Sequence, residues 1–220
     1  MTIDVKDAAG VTRSLETPNP NGRAAAAASR PVTLATEDLA ALTGAQGAGE
    51  NHLGKVGGES AVVSASFARP ADSAAYAVGD LVANSTSAAN VQPLQLALAR
   101  VNGGTGCLRR VRLSTTHVGL GGSDVFRIHF FKAPPTPVNG DNGVFSVNGV
   151  GAVHLGYADV TLDRVFSDGA KGIGVPAAGS EIVFDAAPGS TLIYALAEAR
   201  SAYAPASGET LTVAAEVLRD

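Results

Sequence analysis

Histidine is the residue type in this sequence best suited to metal binding or proton transfer, and the chain has four: His52, His117, His129 and His154. No two of them have the short spacing of a metal-binding motif, and zinc needs ligands that converge tetrahedrally on one point. His52 falls in a glycine-rich linker, whereas His129 and His154 fall in predicted strands and can meet across a sheet. The spacing gives no metal signature, so we expect neither a metal nor another cofactor.

Six acidic residues could converge as paired carboxylates of the kind that cleave glycosidic bonds. They are Asp80, Asp159, Asp163, Asp168, Glu181 and Asp185. Asp163, Asp168 and Asp185 flank predicted turns, where an aspartate commonly accepts hydrogen bonds from the backbone instead. We therefore expect that the protein is not an enzyme and has no catalytic residues.

Three glycine-containing segments have the composition of functional loops but not their spacing. Residues 139–143 are oxygen-rich, yet the twelfth position from Asn139, where an EF-hand places a carboxylate, is Val150. Residues 121–124 lack the second flanking glycine of a serine nucleophile elbow, and residues 103–106 lack the Lys-Ser/Thr of a phosphate loop. We interpret 103–106 as a turn and 139–143 as a long surface turn.

Composition argues against several other classes of protein. The 220 residues carry a net charge of −4 with 16% charged side chains, which does not suit a nucleic-acid binder, because contacts to phosphates need a concentrated basic surface. The densest basic run, Arg109, Arg110 and Arg112, falls in a predicted strand, where we expect an arginine to be paired internally or at a subunit contact. The single cysteine, Cys107, excludes an intrachain disulfide, and we expect it to be buried.

The sequence also predicts where the protein is made. The first seven residues do not resemble a secretory signal, and no apolar stretch approaches the roughly 18 residues that span a bilayer. We therefore expect synthesis in the cytoplasm and no membrane partner.

Residues 1–58 differ in character from the rest of the chain. Residues 5–12 predict a small hairpin that turns at 7–10, residues 36–42 predict a short helix, and residues 44–58 form a glycine-rich linker. The segment holds few large apolar residues, so it cannot bury enough surface to fold alone. It is predicted to be an extended N-terminal arm that becomes ordered against another molecule.

From residue 59 onward, short alternating segments are separated by Gly, Pro and Asn turns, which is typical of β-strands. Nine strands are predicted, over residues 61–67, 76–82, 94–101, 107–115, 125–131, 152–162, 181–184, 191–197 and 211–218. In 107–115 the alternation places Leu108 and Val111 on opposite faces. The segment 191–202 is ambiguous, because its apolar residues also fit one face of a helix. The pattern favours an all-β fold, with a β-sandwich or jelly-roll-like domain over 59–220 behind the arm.

Two blocks of the sequence resemble proteins of tailed bacteriophages. Residues 28–38 read Ala-Ser-Arg-Pro-Val-Thr-Leu-Ala-Thr-Glu-Asp; they follow the hairpin and a Pro-Asn-Gly linker and resemble N-terminal segments of tailed-phage virion proteins. Residues 75–82, Ala-Tyr-Ala-Val-Gly-Asp-Leu-Val, and the Val-Asn-Gly-Gly-Thr-Gly of 101–106 resemble a block that recurs in phage structural proteins. The resemblance implies a virion structural protein, and we favour the capsid decoration (cement) or head type.

Phage decoration proteins, as a class, stabilise heads by bridging neighbouring capsid subunits, and an extended arm suits that role. We therefore expect a protein of the capsid surface whose partners are the major capsid protein, copies of itself in a homo-oligomer such as a trimer, or both. The arm residues expected to bind the partner are Arg30, Pro31, Val32, Leu34, Leu39 and Leu42. A tail or baseplate structural protein is one alternative. A carbohydrate- or receptor-binding module is another, although the chain has no tryptophan and four tyrosines for stacking on sugars.

Overall fold

The computed structural model describes residues 2–6, 8–16, 58–118, 120, 122–148 and 150–220. Contacts group the chain into two units, residues 1–53 and 54–220. The predicted division at residues 58–59 stays a prediction, because residues 17–57 lie outside the described ranges. Within those ranges, no helical segment has the length and apolar character that a bilayer crossing requires.

The first unit contains an antiparallel hairpin of two strands, β1 (Thr2–Lys6) and β2 (Thr12–Glu16). Gly10, in the turn, has a φ of +77°, a left-handed conformation that glycine adopts without the steric cost of a Cβ. The predicted hairpin is confirmed, and its strands extend beyond residues 5–12 on both sides. The short helix predicted over 36–42 lies outside the described residues.

In the described part of the second unit, nearly all regular structure is β-strand, apart from a short 3-10 turn at Ala88–Asn90. The strands are β3 (Glu59–Ala68), β4 (Leu81–Val82), β5 (Leu94–Leu96), β6 (Thr105–Thr115), β7 (Asp124–Phe131), β8 (His154–Leu162), β9 (Arg164–Phe166), β10 (Gly169–Gly174), β11 (Ile182–Asp185), β12 (Ile193–Ala199) and β13 (Thr210–Arg219).

These strands form two antiparallel sheets. The six-stranded sheet has the order β3-β13-β6-β10-β9, and β11 also pairs with β6; the five-stranded sheet has the order β4-β12-β7-β8, and β5 also pairs with β12. Side chains alternate along each strand, so every second residue faces the partner sheet. Leu113 and Val213 from the first sheet and Phe126 and Ile128 from the second are buried in one shared core. The predicted all-β sandwich is confirmed.

Most predicted strands are present with ends shifted by one or two residues, but two are much shorter. Of residues 76–82, only the last two form a strand, and Tyr76 makes an isolated bridge to Tyr203. Of residues 94–101, only the first three form a strand. The segment 191–202, which also fits a helix, contains strand β12, and β12 is paired along both of its edges.

The predicted alternation in 107–115 is wrong for Leu108 because β6 contains a β-bulge. Arg109 is an extra residue between the positions where Leu108 and Arg110 pair with β13. A bulge shifts the side-chain alternation by one residue. Leu108 is therefore buried on the same side as Val111, facing the core.

Strands β9 and β10 are absent from the sequence-based prediction, and together they close one side of the sandwich. β8 belongs to the five-stranded sheet and β9 to the six-stranded sheet, so the chain crosses between the sheets with only Asp163 in between. β10 then lies directly against the backbone of β8, where a Cβ on Gly172 would be well under 3.0 Å from the carbonyl oxygen of Thr161. This close approach explains why the strand is rich in glycine and lacks an apolar alternation.

Candidate functional site

The surface of the six-stranded sheet that points away from the core, named the outer face here, carries exposed apolar side chains. Alternation along β3 packs Val63 and Ala65 against the core and turns Val62 outward. Four large apolar side chains on the outer face are 40–65% exposed: Val62, Ile173, Val183 and Leu218. Cys107, which we expected to be buried, is only partly so, because it lies on this face opposite both Val183 and Leu218.

The charged side chains at the middle of the outer face are paired with one another. Arg110 Nε donates to Glu216 Oε2 at 2.6 Å, and Arg112 Nη2 donates to the same oxygen at 2.8 Å. The hydrogen bond from Arg110 lowers the pKa of the Glu216 carboxyl, so this carboxylate stays ionised between the two arginines. Internal pairing of an arginine in this strand was one of the two predicted outcomes. The outer face therefore combines apolar side chains with a group of two positive charges and one negative charge, and the exposed Lys171 adds a further positive charge.

A second polar group, the Arg69 cluster (Arg69, Tyr76 and Asp141), is buried. The side chains of Arg69 and Asp141 are fully buried, and Arg69 Nη2 donates to Asp141 Oδ2 at 2.9 Å. The Tyr76 hydroxyl and the Ala83 amide both donate to Asp141 Oδ1, at 2.6 and 2.7 Å. Burial and then Asp141 raise the pKa of Tyr76, so its hydroxyl keeps its proton. The interpretation of 139–143 as a surface turn is wrong for Asp141, whose carboxylate holds three segments together.

Tyr203 and Glu209 form a further internal group. The Glu209 carboxylate accepts from the Tyr203 hydroxyl at 2.6 and 2.7 Å and from the Ala206 amide at 2.9 Å. His117 Nδ1 lies 3.3 Å from the Tyr203 hydroxyl and 3.5 Å from Glu209. Burial, followed by Glu209, raises the pKa of Tyr203. These groups satisfy one another and hold the turn before β13 in place.

A fourth group, the histidine cluster (His129, His154 and Glu198), lies on the side of the five-stranded sheet away from the core. His129 Nε2 is 2.9 Å from Glu198 Oε2, and His129 Nδ1 is 3.1 Å from His154 Nε2. Arg200 Nη1 donates to the other Glu198 oxygen at 2.9 Å. His129 is buried and stacks on Phe145 with ring centroids 4.4 Å apart, whereas His154 is exposed. The two histidines thus meet across the sheet, as their positions in predicted strands allowed.

Glu198 and Arg200 were not singled out from the sequence. The available signal was two charged residues, two positions apart, in an otherwise apolar strand segment. Residues separated by two positions in a strand point to the same face, so the pair predicts a polar site on one side of the sheet.

The acidic residues considered as a catalytic pair have separate partners. Asp159 accepts from Arg127 at 2.7 and 2.8 Å, and Asp185 accepts from Lys132. Asp80 accepts from the backbone of its own turn, at 2.7 Å. The hydrogen bonds from Arg127 and Lys132 lower the pKa values of Asp159 and Asp185, whereas a general acid at neutral pH needs a raised pKa.

The arm residues predicted to bind a partner lie outside the described residues: Arg30, Pro31, Val32, Leu34, Leu39 and Leu42. No protein-family model and no curated protein matches the chain. The resemblance to tailed-phage proteins therefore remains a prediction made from the sequence blocks alone.

The histidine cluster predicts a pH dependence of stability. Burial lowers the pKa of both His129 and His154 below the ordinary value of 6.5. As the pH falls below about 6.5, protons bind the unfolded chain in preference to the folded one, so the contribution is present above that pH and is lost below it. We expect the free energy of unfolding, measured by urea titration with a chelator present, to fall between pH 7 and pH 5.

The variant carrying His129→Gln and His154→Gln provides the comparison. A glutamine at position 129 can still donate to Glu198 but does not titrate in this range. We expect the variant to lose less stability than the unmodified chain over the same pH interval. If the free energy of unfolding falls equally with pH in the two proteins, the prediction is contradicted.

Proposed function

We propose that this protein is a structural, non-enzymatic component of a tailed-phage particle that decorates the capsid and stabilises it by bridging neighbouring capsid subunits. Its partners are the major capsid protein and copies of the same chain, and it resides on the capsid surface of the virion. Nucleic acid, membrane and cofactors have no part in this role. The sequence blocks at 28–38 and 75–82 support the phage origin.

The outer face is the observation that carries the proposal. Exposed apolar side chains from several neighbouring strands lie on one side of a single sheet, around an ion-pair group of two arginines and one glutamate. Exposed apolar area together with arginine is typical of a protein-binding surface rather than a purely solvated one. A sheet face can lie flat against a neighbouring subunit, so a capsid lattice suits it as a partner.

The N-terminal arm supplies the second contact in this proposal. Ordering a segment costs about 1–2 kcal/mol per residue in backbone entropy, so the arm needs an extended complementary surface. A neighbouring capsid subunit or another copy of the chain offers that surface. Arg30, Pro31, Val32, Leu34, Leu39 and Leu42 are the proposed contacts.

Two other functions use the same sandwich. A tail or baseplate protein would use the outer face in ring contacts, and the two locations differ only in the partner. A carbohydrate- or receptor-binding module has less support, because stacking on sugars needs a platform of accessible aromatic rings. Tyr76 and Tyr203 are buried, and the ring of the exposed Tyr157 is covered by the Arg127 guanidinium at 3.7 Å, whereas Phe166 is 55% exposed.

The proposal is tested by adding a charge to the outer face. Val183→Glu and Val183→Lys each place a charge on an outer-face position that is 65% exposed and lies opposite the uncharged Cys107, so the free chain folds normally, but the bound chain must bury an unpaired charge. We expect each variant to bind purified undecorated heads about tenfold more weakly or worse, which corresponds to about 1.4 kcal/mol. Occupancy is measured by sedimentation of heads with bound protein.

Val150→Glu is the matched control, because Val150 is 98% exposed in the segment between β7 and β8, away from the six-stranded sheet. We expect this variant to bind heads as well as the unmodified chain. Full occupancy by the two outer-face variants would contradict the proposal, and so would weakened binding by the control alone.

A further inference from the structure

His154 occupies its position in the histidine cluster because of a bulge in β8. Phe130 pairs with Gly156 and Phe131 pairs with His154, so Leu155 is an extra residue on β8. Leu155 packs against the core, and the shift in alternation turns His154 to the opposite side, next to His129. Without the bulge, the alternation would point His154 toward the core.

The backbone around this bulge is held in conformations that few residues adopt. Gly156 has a φ of +143°, and Val153, directly before His154, has a φ of +55°. A β-branched residue with positive φ is rare, and such strain is found preferentially at functional sites. One strained residue, Val153, therefore directly precedes the residue that brings the second imidazole to the first, and a glycine permits the unusual backbone that follows it.

The hydrogen bonds leave the ring nitrogens of the two histidines facing each other. Glu198 accepts from His129 Nε2, which places the His129 proton there, so His129 Nδ1 accepts a hydrogen bond from His154 Nε2; a shared metal ion would replace this hydrogen bond, with the His154 proton on its Nδ1 instead. Arg200 fixes the other oxygen of Glu198. A histidine whose far nitrogen donates to a carboxylate is the usual arrangement of a metal ligand, because the carboxylate sets the tautomer and raises the ligand's basicity.

The separation of the facing nitrogens also fits a metal ion. Metal–nitrogen bonds of about 2.0–2.1 Å at a tetrahedral angle place two ligand nitrogens about 3.3 Å apart. His129 Nδ1 and His154 Nε2 are 3.1 Å apart, so a small rotation of the exposed His154 ring is sufficient. His129 is held by its stack on Phe145, whereas the exposed side of His154 leaves room for water ligands.

We propose that His129 Nδ1 and His154 Nε2 bind one divalent transition-metal ion of the zinc or copper type, with water in the remaining positions. Imidazole nitrogen prefers these ions over Mg²⁺ and Ca²⁺, and binding should be tighter for Cu²⁺ than for Zn²⁺. Among the described residues, no group of three or more His, Cys, Asp or Glu side chains is arranged to hold a metal. The site therefore has two protein ligands, and Glu198 is a positioning residue. This inference does not depend on the proposed structural role.

The charged side chains around the cluster balance one another, so they neither repel nor strongly attract a cation. Glu198 and Arg200 lie on β12, Arg127 on β7, and Asp159 on β8 beside Arg127. Only a neutral imidazole coordinates a metal, so binding is expected at neutral pH and should weaken as the histidines become protonated.

The experiment is an isothermal calorimetric titration of the full chain with ZnCl2 at pH 7.5, with MgCl2 as the comparison ion. We expect Zn²⁺ binding, no Mg²⁺ binding, and at least tenfold weaker Zn²⁺ binding in His154→Ala, whose exposed side chain should be dispensable for folding. Glu198→Gln should weaken binding about 10–100-fold, as loss of a carboxylate behind a histidine ligand does. Circular dichroism confirms that each variant is folded.

His117→Ala and His52→Ala are the matched controls, because they remove the other two histidines of the chain. We expect both to bind Zn²⁺ as the unmodified chain does. No Zn²⁺ binding by the unmodified chain, or binding that is unchanged in His154→Ala, would overturn the inference.

Discussion

Asp141→Asn is expected to destabilise the protein by about 3–5 kcal/mol, because it leaves the charge of Arg69 buried without its partner. Both side chains are fully buried and joined at 2.9 Å. Asparagine has nearly the same shape and can still accept from the Ala83 amide, so the loss reports the missing charge and the lost acceptor for Arg69 rather than a cavity. The free energy of unfolding from urea titration measures it.

Asp72→Asn is the matched control, since Asp72 is the other carboxylate beside Arg69. It lies 3.3 Å from Arg69 Nη2, but its side chain is 39% exposed. A solvent-accessible ion pair contributes only about 0–1 kcal/mol to stability. The free energy of unfolding of this variant should therefore be close to that of the unmodified chain. Equal losses for the two variants would show that burial of the Arg69–Asp141 pair is not what makes it important.

Gly172→Ala is expected to lower the free energy of unfolding by about 3 kcal/mol or more, or to prevent folding, because the two sheets approach each other at this residue. The added Cβ would overlap the carbonyl group of Thr161, which is backbone and cannot move by changing rotamer. The sheets would have to separate, and that would disturb packing along β8 and β10. Thermal and urea unfolding measure the effect.

Gly151→Ala provides the same chemical change where there is space. The nearest atoms to a Cβ at Gly151 belong to Asn148, at 3.7 Å, an ordinary contact distance. An alanine at a compatible loop position commonly stabilises by about 0.4–1 kcal/mol, so this variant should be neutral or slightly stabilising. A Gly172→Ala protein as stable as the unmodified chain would mean that β10 and β8 are further apart than described.

The sandwich was predictable because its long strands repeat the two-residue period of a half-buried sheet. The alternation of Leu211, Val213, Ala215 and Val217 gives β13 directly, and these residues do face the core. β10 was not predictable in this way. Its inward positions are Ala170 and two glycines, Gly172 and Gly174, that lie against the backbone of β8, so no apolar pattern marks them.

The polar sites were less predictable than the fold because they depend on bulges and long-range contacts. His129 and His154 could be placed in strands, but only the extra residue Leu155 turns His154 outward. The burial of Asp141 depends on Arg69, 72 positions away in the chain. A turn-rich segment such as 139–143 looks solvent-exposed when its sequence is considered without that partner.

The crossing of the chain from β8 to β9 has a mechanical consequence. Since a single residue, Asp163, separates a strand of one sheet from a strand of the other, covalent backbone joins the two layers along that side. A load pulling on the five-stranded sheet is transmitted to the six-stranded sheet through peptide bonds, not only through contacts between side chains. Separating the two sheets there would require breaking the hydrogen bonds between β9 and β10. That side should therefore resist force better than an edge where the sheets contact each other only through side chains.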